Sequence, residues 1–157
     1  MTKKLKKVIL GGTFDILHKG HRSLLKKAFQ IGDLVTIGLT SDQMARRRKK
    51  RKVSLFTQRK KELIKFIKKE LKIKKQYKII KINDIFGPTL KKDFDYIIVS
   101  PETYQAALLI NKKRQLKEKK PIKIVKIKFV LAENKKPINS TEIVKGLIDR
   151  EGKLVRK

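Results

Sequence analysis

Gly11-Gly12-Thr13-Phe14-Asp15-Ile16-Leu17-His18-Lys19-Gly20-His21 stands between an apolar run ending in Val8-Ile9-Leu10 and an amphipathic stretch that begins near Lys19. The apolar run reads as a buried strand. The paired glycines let the backbone turn tightly and approach a ligand, and the next helix aims its free N–H groups at the same point. Strand, glycine turn and helix in that order make the first half of a βαβ unit, at a place where an anion is favoured. His18 and His21, the two histidines of the chain, are three positions apart. On a helix that spacing sets both rings on one face at its positive end, within reach of one phosphate chain.

Working outward, the spacing predicts a strand over Leu5 to Leu10 and a helix from Lys19 to Gln30. Leu24, Leu25, Ala28 and Phe29 form the buried stripe of that helix, and Gly32 is its stop. Leu34 to Thr40 suits a central parallel strand covered on both faces. Thr40-Ser41-Asp42 then falls either at the ligand edge of the sheet or at a plain helix cap. Arg46-Arg47-Arg48-Lys49-Lys50-Arg51-Lys52 is seven consecutive cations, a self-repelling run expected to be a mobile basic loop, one or two of whose members contact a substrate phosphate.

Thr57 is expected to cap a helix lined by Leu63, Ile64, Ile67 and Leu71. Tyr77 to Ile82 and Phe94 to Val99 read as the third and fourth strands, with a loop at Asn83 to Thr89. Ser100-Pro101-Glu102-Thr103 has the marks of a helix start and comes after a strand end, so it is a cap, a wall of the site, or both. Ile122 to Val130 reads as a fifth strand. Asn139, three residues before Glu142, has capping-box spacing, and the N–H groups and hydroxyls at Ser140 and Thr141 also suit nucleotide phosphates. The alternation predicts an α/β fold, doubly wound, with a mainly parallel five-stranded sheet in a single domain over residues 1–157.

Composition narrows the chemistry. There is no cysteine, hence no disulfide, thiolate metal site or cysteine nucleophile, and two histidines without a third partner make no zinc site. A formal charge of +30 attracts any polyanion, ATP and RNA alike. Aromatics are 6% with no tryptophan, so no stacking platform for nucleic acid is evident, and nonspecific adhesion at low salt is what remains of that reading. No run is long enough to cross a bilayer, and Met1-Thr2-Lys3-Lys4 leads into the first strand without a signal-peptide core, which points to a soluble cytoplasmic protein.

Gly-Gly-Thr-Phe-Asp leading into His-x-Gly-His resembles the nucleotidyltransferase superfamily and its Rossmann-like domain. Class I aminoacyl-tRNA synthetases share a related histidine signature, but this chain is too short for one and has no Lys-Met-Ser-Lys-Ser segment. Adding Thr40-Ser41-Asp42, Gly87-Pro88-Thr89, Val99 to Thr103, Ile138 to Thr141 and the closing Ile148 to Leu154, the chain resembles archaeal phosphopantetheine adenylyltransferases over nearly its whole length. The resemblance implies transfer of the adenylyl group of ATP, escorted by magnesium, to 4′-phosphopantetheine, giving dephospho-coenzyme A and pyrophosphate.

By the same resemblance His18 is the catalytic residue, and Gly12, Thr13, Phe14, His18, His21, Asn139, Ser140 and Thr141 meet the nucleotide. Thr13 and Arg46 meet the acceptor, and no residue is expected to ligate a metal. Where that family reads Ile-Ser-Ser-Thr-x-Ile-Arg, this chain has Asn139 for the first serine and Val144 for the arginine. Lys145 lies one residue off register, about 100 degrees round a helix. Lys145 or a member of the basic run is therefore the candidate replacement. A cytidylyltransferase, a mononucleotide adenylyltransferase and a nonenzymatic RNA-binding protein are the alternatives.

Overall fold

A computed structural model of the chain describes residues 4–156; Met1 to Lys3, most of the tetrapeptide read above for a leader, lie outside the described residues, as does Lys157. Five strands, β1 (Lys7–Gly12), β2 (Leu34–Thr40), β3 (Gln76–Ile82), β4 (Tyr96–Val99) and β5 (Lys123–Lys126), form one sheet in the order β3-β2-β1-β4-β5. Every pairing is parallel. The helices are α1 (Lys19–Ile31), α2 (Asp42–Lys49), α3 (Phe56–Lys69), α4 (Tyr104–Leu116) and α5 (Ser140–Val144).

The sheet is doubly wound because alternate strand residues serve different helices. Val8, Leu10 and Ile98 pack with Leu24, Leu25, Ala28 and Phe29 of α1 and with Leu63, Phe66 and Ile67 of α3. Ile9, Ile97 and Val99 point the other way, to Ala107 and Ile110 of α4. From β1 the chain winds one way through β2 to β3, then returns across the sheet to β4 and β5 on the other side. The switch lies between β1 and β4, and in an open parallel sheet the crevice beyond the carboxyl ends at such a switch is where ligands bind. Among the described residues no helix is long and apolar enough to cross a membrane.

Several local expectations need correcting. The seven-cation run is a loop only over its last three residues, Lys50 to Lys52: Arg46, Arg47, Arg48 and Lys49 form the last turn of α2. Ser41 caps that helix, its Oγ accepting from the Met44 N–H at 3.2 Å, so Ser41 is the plain cap. Asp42 stands in the first turn and the cations crowd the last, where the carbonyl end of the helix favours positive charge and offsets their repulsion. Lys50 then adopts φ 53°, a left-handed residue that ends the helix.

Thr57 is inside α3, which begins after Leu55 with no side-chain cap, and Ile64 is 39% exposed while Phe66 takes the buried place. Ser100 and Pro101 belong to a turn before α4, where the Ser100 N–H donates to Thr103 Oγ1, rather than to a helix cap. The fifth strand ends at Lys126, not Val130, because its neighbour β4 ends at Val99 and leaves nothing beyond for it to pair with.

Residues after β5 make a small third cluster of Ala132, Ile138 and Ile148 around α5. It is pinned beside the site by Arg22 of α1, whose guanidinium bonds Glu151 at 3.1 Å and Glu70 at 3.0 Å, and by the Lys19 N–H donating to the Arg150 carbonyl.

Candidate active site

The His-x-Gly-His motif is a reciprocal helix cap made of imidazoles. His18 is the N-cap of α1, its Nδ1 accepting from the Gly20 N–H at 3.0 Å, and His21 Nδ1 accepts from the His18 N–H at 3.3 Å. The rings stack with centroids 3.8 Å apart, and Phe14 lies tilted on the His21 ring at 5.1 Å. Glycine at position 20 is required by this packing, since a Cβ there would come within 2.8 Å of the His18 ring.

With Nδ1 of each ring accepting, the proton of each neutral imidazole sits on Nε2. His21 is set behind His18, its Nδ1 committed to the His18 N–H and its ring packed between His18 and Phe14. His18 is the ring whose Nε2–H is left to the cleft that it lines. Burial, and secondarily the positive charge of Lys49, pull the His18 pKa down to about 4; burial and then His18 and Lys49 lower that of His21 as well. Both rings are neutral at physiological pH.

Their neutrality ties stability to pH. Below pH 6.5 the unfolded chain takes up protons that the folded rings refuse, so stability is lost as pH falls from about 6.5 towards about 4. The thermal midpoint is expected to drop between pH 7 and pH 5, before carboxylates titrate, and His18→Gln should flatten that slope. An unchanged slope in the variant would contradict the burial of a neutral ring.

The cleft lies at the switch between β1 and β4. Its floor is Gly11, Gly12, Thr13, Phe14 and Asp15, and its walls are the histidine cap, Ser100 to Thr103 after β4, Ile127 to Val130 after β5, Asn139 and Ser140 at the start of α5, and Arg48 and Lys49 at the end of α2. Phe14 is 1% exposed with φ 48°, so its ring belongs to the core beneath Gly12 while its backbone shapes the floor. Burial pushes the Lys49 pKa below its ordinary value, partly offset by nearby Glu102.

Gly12, Thr13, Phe14, His18, His21, Asn139 and Ser140 therefore converge on one cavity, and the turn read above as a cap or a wall is a wall. Thr141 and Arg46 do not reach it: Thr141 is turned towards Arg51, and Arg46 is on the exposed side of α2. Lys145, the candidate replacement one residue off register, is exposed, and Val144 is 53% exposed. Thr40, Ser41 and Asp42 stay behind the floor.

Arg51 lies beside the cleft and bonds two of its lining residues. Its guanidinium bonds Asp15 at 2.7 Å, Ser140 Oγ at 2.9 Å and Thr141 Oγ1 at 3.2 Å, joining the floor to the start of α5. Asn139 caps that helix, its Oδ1 accepting from the Glu142 N–H at 2.8 Å. For the ATP site expected from the sequence, Arg51→Ala should lower kcat/KM for the nucleotide about tenfold or more, because charge-assisted bonds at the two hydroxyls are lost, with Arg51→Lys recovering part of it. Steady-state kinetics over ATP concentration measures this, and an unchanged value would make Arg51 a purely structural tie.

Known proteins fit this geometry. The sequence pattern of a family described as cytidylyltransferase-like matches residues 9–146, from β1 to the end of α5. The phosphopantetheine adenylyltransferase of Methanosarcina acetivorans is 48% identical over 153 residues, covering 96% of this chain and 97% of its own. That of Pyrococcus furiosus is 42% identical over 159 residues, covering 100% and 98%.

The chain belongs to the phosphopantetheine adenylyltransferase family.

A crystal structure of a protein of unknown function from Archaeoglobus fulgidus, 44% identical, superposes with a TM-score of 0.72 over 77% of this chain and 88% of that one. A putative nicotinate-nucleotide adenylyltransferase of Vibrio parahaemolyticus, 16% identical with a TM-score of 0.53 over 94% and 90%, shares the fold alone. Of the basic run expected to supply one or two phosphate contacts, Arg48 and Lys49 are the members that line the cleft, and the wall at Ile127 to Val130 is the component that sequence reading did not single out. Which members of the run reach the cleft could not be read among 44 lysines and arginines, and the wall was hidden by its assignment to a strand.

Proposed function

We propose that this member of the phosphopantetheine adenylyltransferase family works in the cytoplasm and transfers the adenylyl group of ATP to 4′-phosphopantetheine, releasing dephospho-coenzyme A and pyrophosphate. The observation that carries the reading is the full-length identity of 42% and 48% to enzymes of that name. The cleft, with a neutral His18 donor and flanking cations rather than a nucleophile, supports it.

The acceptor phosphate is itself an anion near neutral pH. One of its oxygens attacks the α-phosphorus in line. A new P–O bond forms as the bond to the β-phosphate oxygen breaks, and pyrophosphate carries away the electron pair. The protein need supply neither nucleophile nor general base, so its work is positioning and charge stabilisation. His18 Nε2–H donates to a non-bridging oxygen of the α-phosphate, Lys49 and Arg48 offset charge on the reacting phosphates, and Ser140 with Arg51 stands on the pyrophosphate side. Magnesium enters as part of the MgATP substrate.

The test is pyrophosphate release by purified protein with MgATP, comparing 4′-phosphopantetheine, unphosphorylated pantetheine and no acceptor, with the product confirmed by mass. Release that requires the phosphorylated acceptor and yields dephospho-coenzyme A is the expected result. Because the matching family pattern is described as cytidylyltransferase-like, CTP is the control nucleotide. Faster turnover with CTP would overturn the reading.

A further inference from the structure

Arg59 of α3 is 1% exposed in a protein whose other cations are mostly solvated, and its guanidinium reaches four residues on three separate stretches of chain. Nε donates to the Ser54 carbonyl at 2.7 Å. Nη1 donates to the Thr13 carbonyl at 3.0 Å and to Thr40 Oγ1 at 3.2 Å, and Nη2 donates to Asp42 Oδ1 at 3.2 Å. Thr40 Oγ1 donates its own proton to Thr13 Oγ1 at 3.1 Å. Both the carbonyl and the hydroxyl of Thr13 are therefore held from below, one directly and one through Thr40.

The residue so held is immediately before Phe14, whose φ of 48° is unfavourable for a side chain of that size and persists only where its surroundings enforce it. Asp42, the carboxylate that meets the guanidinium, has a side chain 37% exposed, and the other acceptors are neutral. The buried guanidinium therefore sets positive charge directly behind the floor of the cleft, balanced only from its far end by the partly exposed Asp42.

We propose that Arg59 is a positioning residue for phosphate binding, which fixes the Thr13–Phe14 turn and places positive potential behind it without touching the nucleotide. The proposal rests on the reading of the cleft as an ATP site. It predicts that damage at Arg59 falls on the phosphates of the ligand and spares the nucleoside, whereas a merely structural role would weaken both together.

The experiment measures Kd for ATP directly and Kd for adenosine by competition, in the parent protein, Arg59→Lys, Thr40→Val and the double variant, at a temperature where each is folded. Arg59→Lys keeps the charge and loses the fork. It is expected to weaken ATP about tenfold with adenosine within about twofold. Thr40→Val removes only the hydroxyl relay and should weaken ATP by about three- to fivefold. The double variant should be no worse than Arg59→Lys within about twofold, since both act through Thr13.

Parallel loss of both ligands, unchanged ATP binding, or multiplicative losses in the double variant would each overturn the proposal. Should Arg59→Lys fail to fold, the ATP-to-adenosine ratio of Thr40→Val decides by the same criterion. A parent that binds ATP but transfers adenylyl to no acceptor removes the proposed reaction and leaves this comparison standing, whereas a parent that binds no ATP overturns both.

Discussion

His18→Ala is expected to lower kcat by about 10²–10³-fold while leaving KM for ATP within a few-fold, because the lost donor acts on charge that develops in the transition state. The ring is held for that task. Its Nδ1 is committed to the Gly20 N–H, its face is stacked on His21, and burial with Lys49 nearby keeps it neutral down to about pH 4. Nε2–H is thus a donor of fixed direction across the physiological range, and titration of His18 should put no step into kcat between pH 6 and pH 8.

Removing the ring also removes an N-cap, a loss of about 1 kcal/mol that a domain of this size survives. The thermal midpoint separates that effect from chemistry. A kcat within threefold of the parent would take His18 out of the mechanism.

Arg114→Ala is expected to have a large effect on stability, a loss of about 1–3 kcal/mol, with kcat unchanged in the protein that remains folded. Arg114 is 1% exposed on α4, far from any role in the cleft. Its guanidinium donates to the carbonyls of Thr89 at 2.6 Å, Lys92 at 3.1 Å and Lys120 at 2.8 Å, and to Asp93 at 2.7 Å. Truncation strands the Thr89 carbonyl, in a buried residue of the crossover between β3 and β4, and opens a void where the guanidinium lay. Arg114→Lys should recover only part, because one ammonium cannot span acceptors placed for a planar fork. Chemical denaturation measures the loss, and a change below about 1 kcal/mol would show that water replaces the guanidinium at little cost.

Arg59 and Arg114 also mark how far the sequence could be read. Each sits at helical spacing on an apolar face, Arg59 four residues before Leu63 and Arg114 four after Ile110, and both of those neighbours are buried. An arginine on such a stripe among lysine-rich helices is a legible sign of a buried, multiply bonded guanidinium. It escapes notice in a chain with 44 lysines and arginines, where one more cation carries little information. Ser100 and Thr57 erred for a related reason. Both have the chemistry of a helix cap, but the backbone at each is set by its neighbours, a turn before α4 in one case and a helix already under way from Phe56 in the other.

The alternation of strands and helices apart from α2, the glycine turn and the histidine pair were determined by the sequence alone, because hydrophobic period, turn chemistry and capping act over a few residues and are written locally. Which cations serve the site was decided only by the tertiary structure. Arg51 meets Thr141 across 90 positions and Asp15 across 36, and Arg59 meets Thr13 across 46. Such contacts exist because parallel strands bring their carboxyl ends to one edge of the sheet, and no local pattern records which side chains arrive there together.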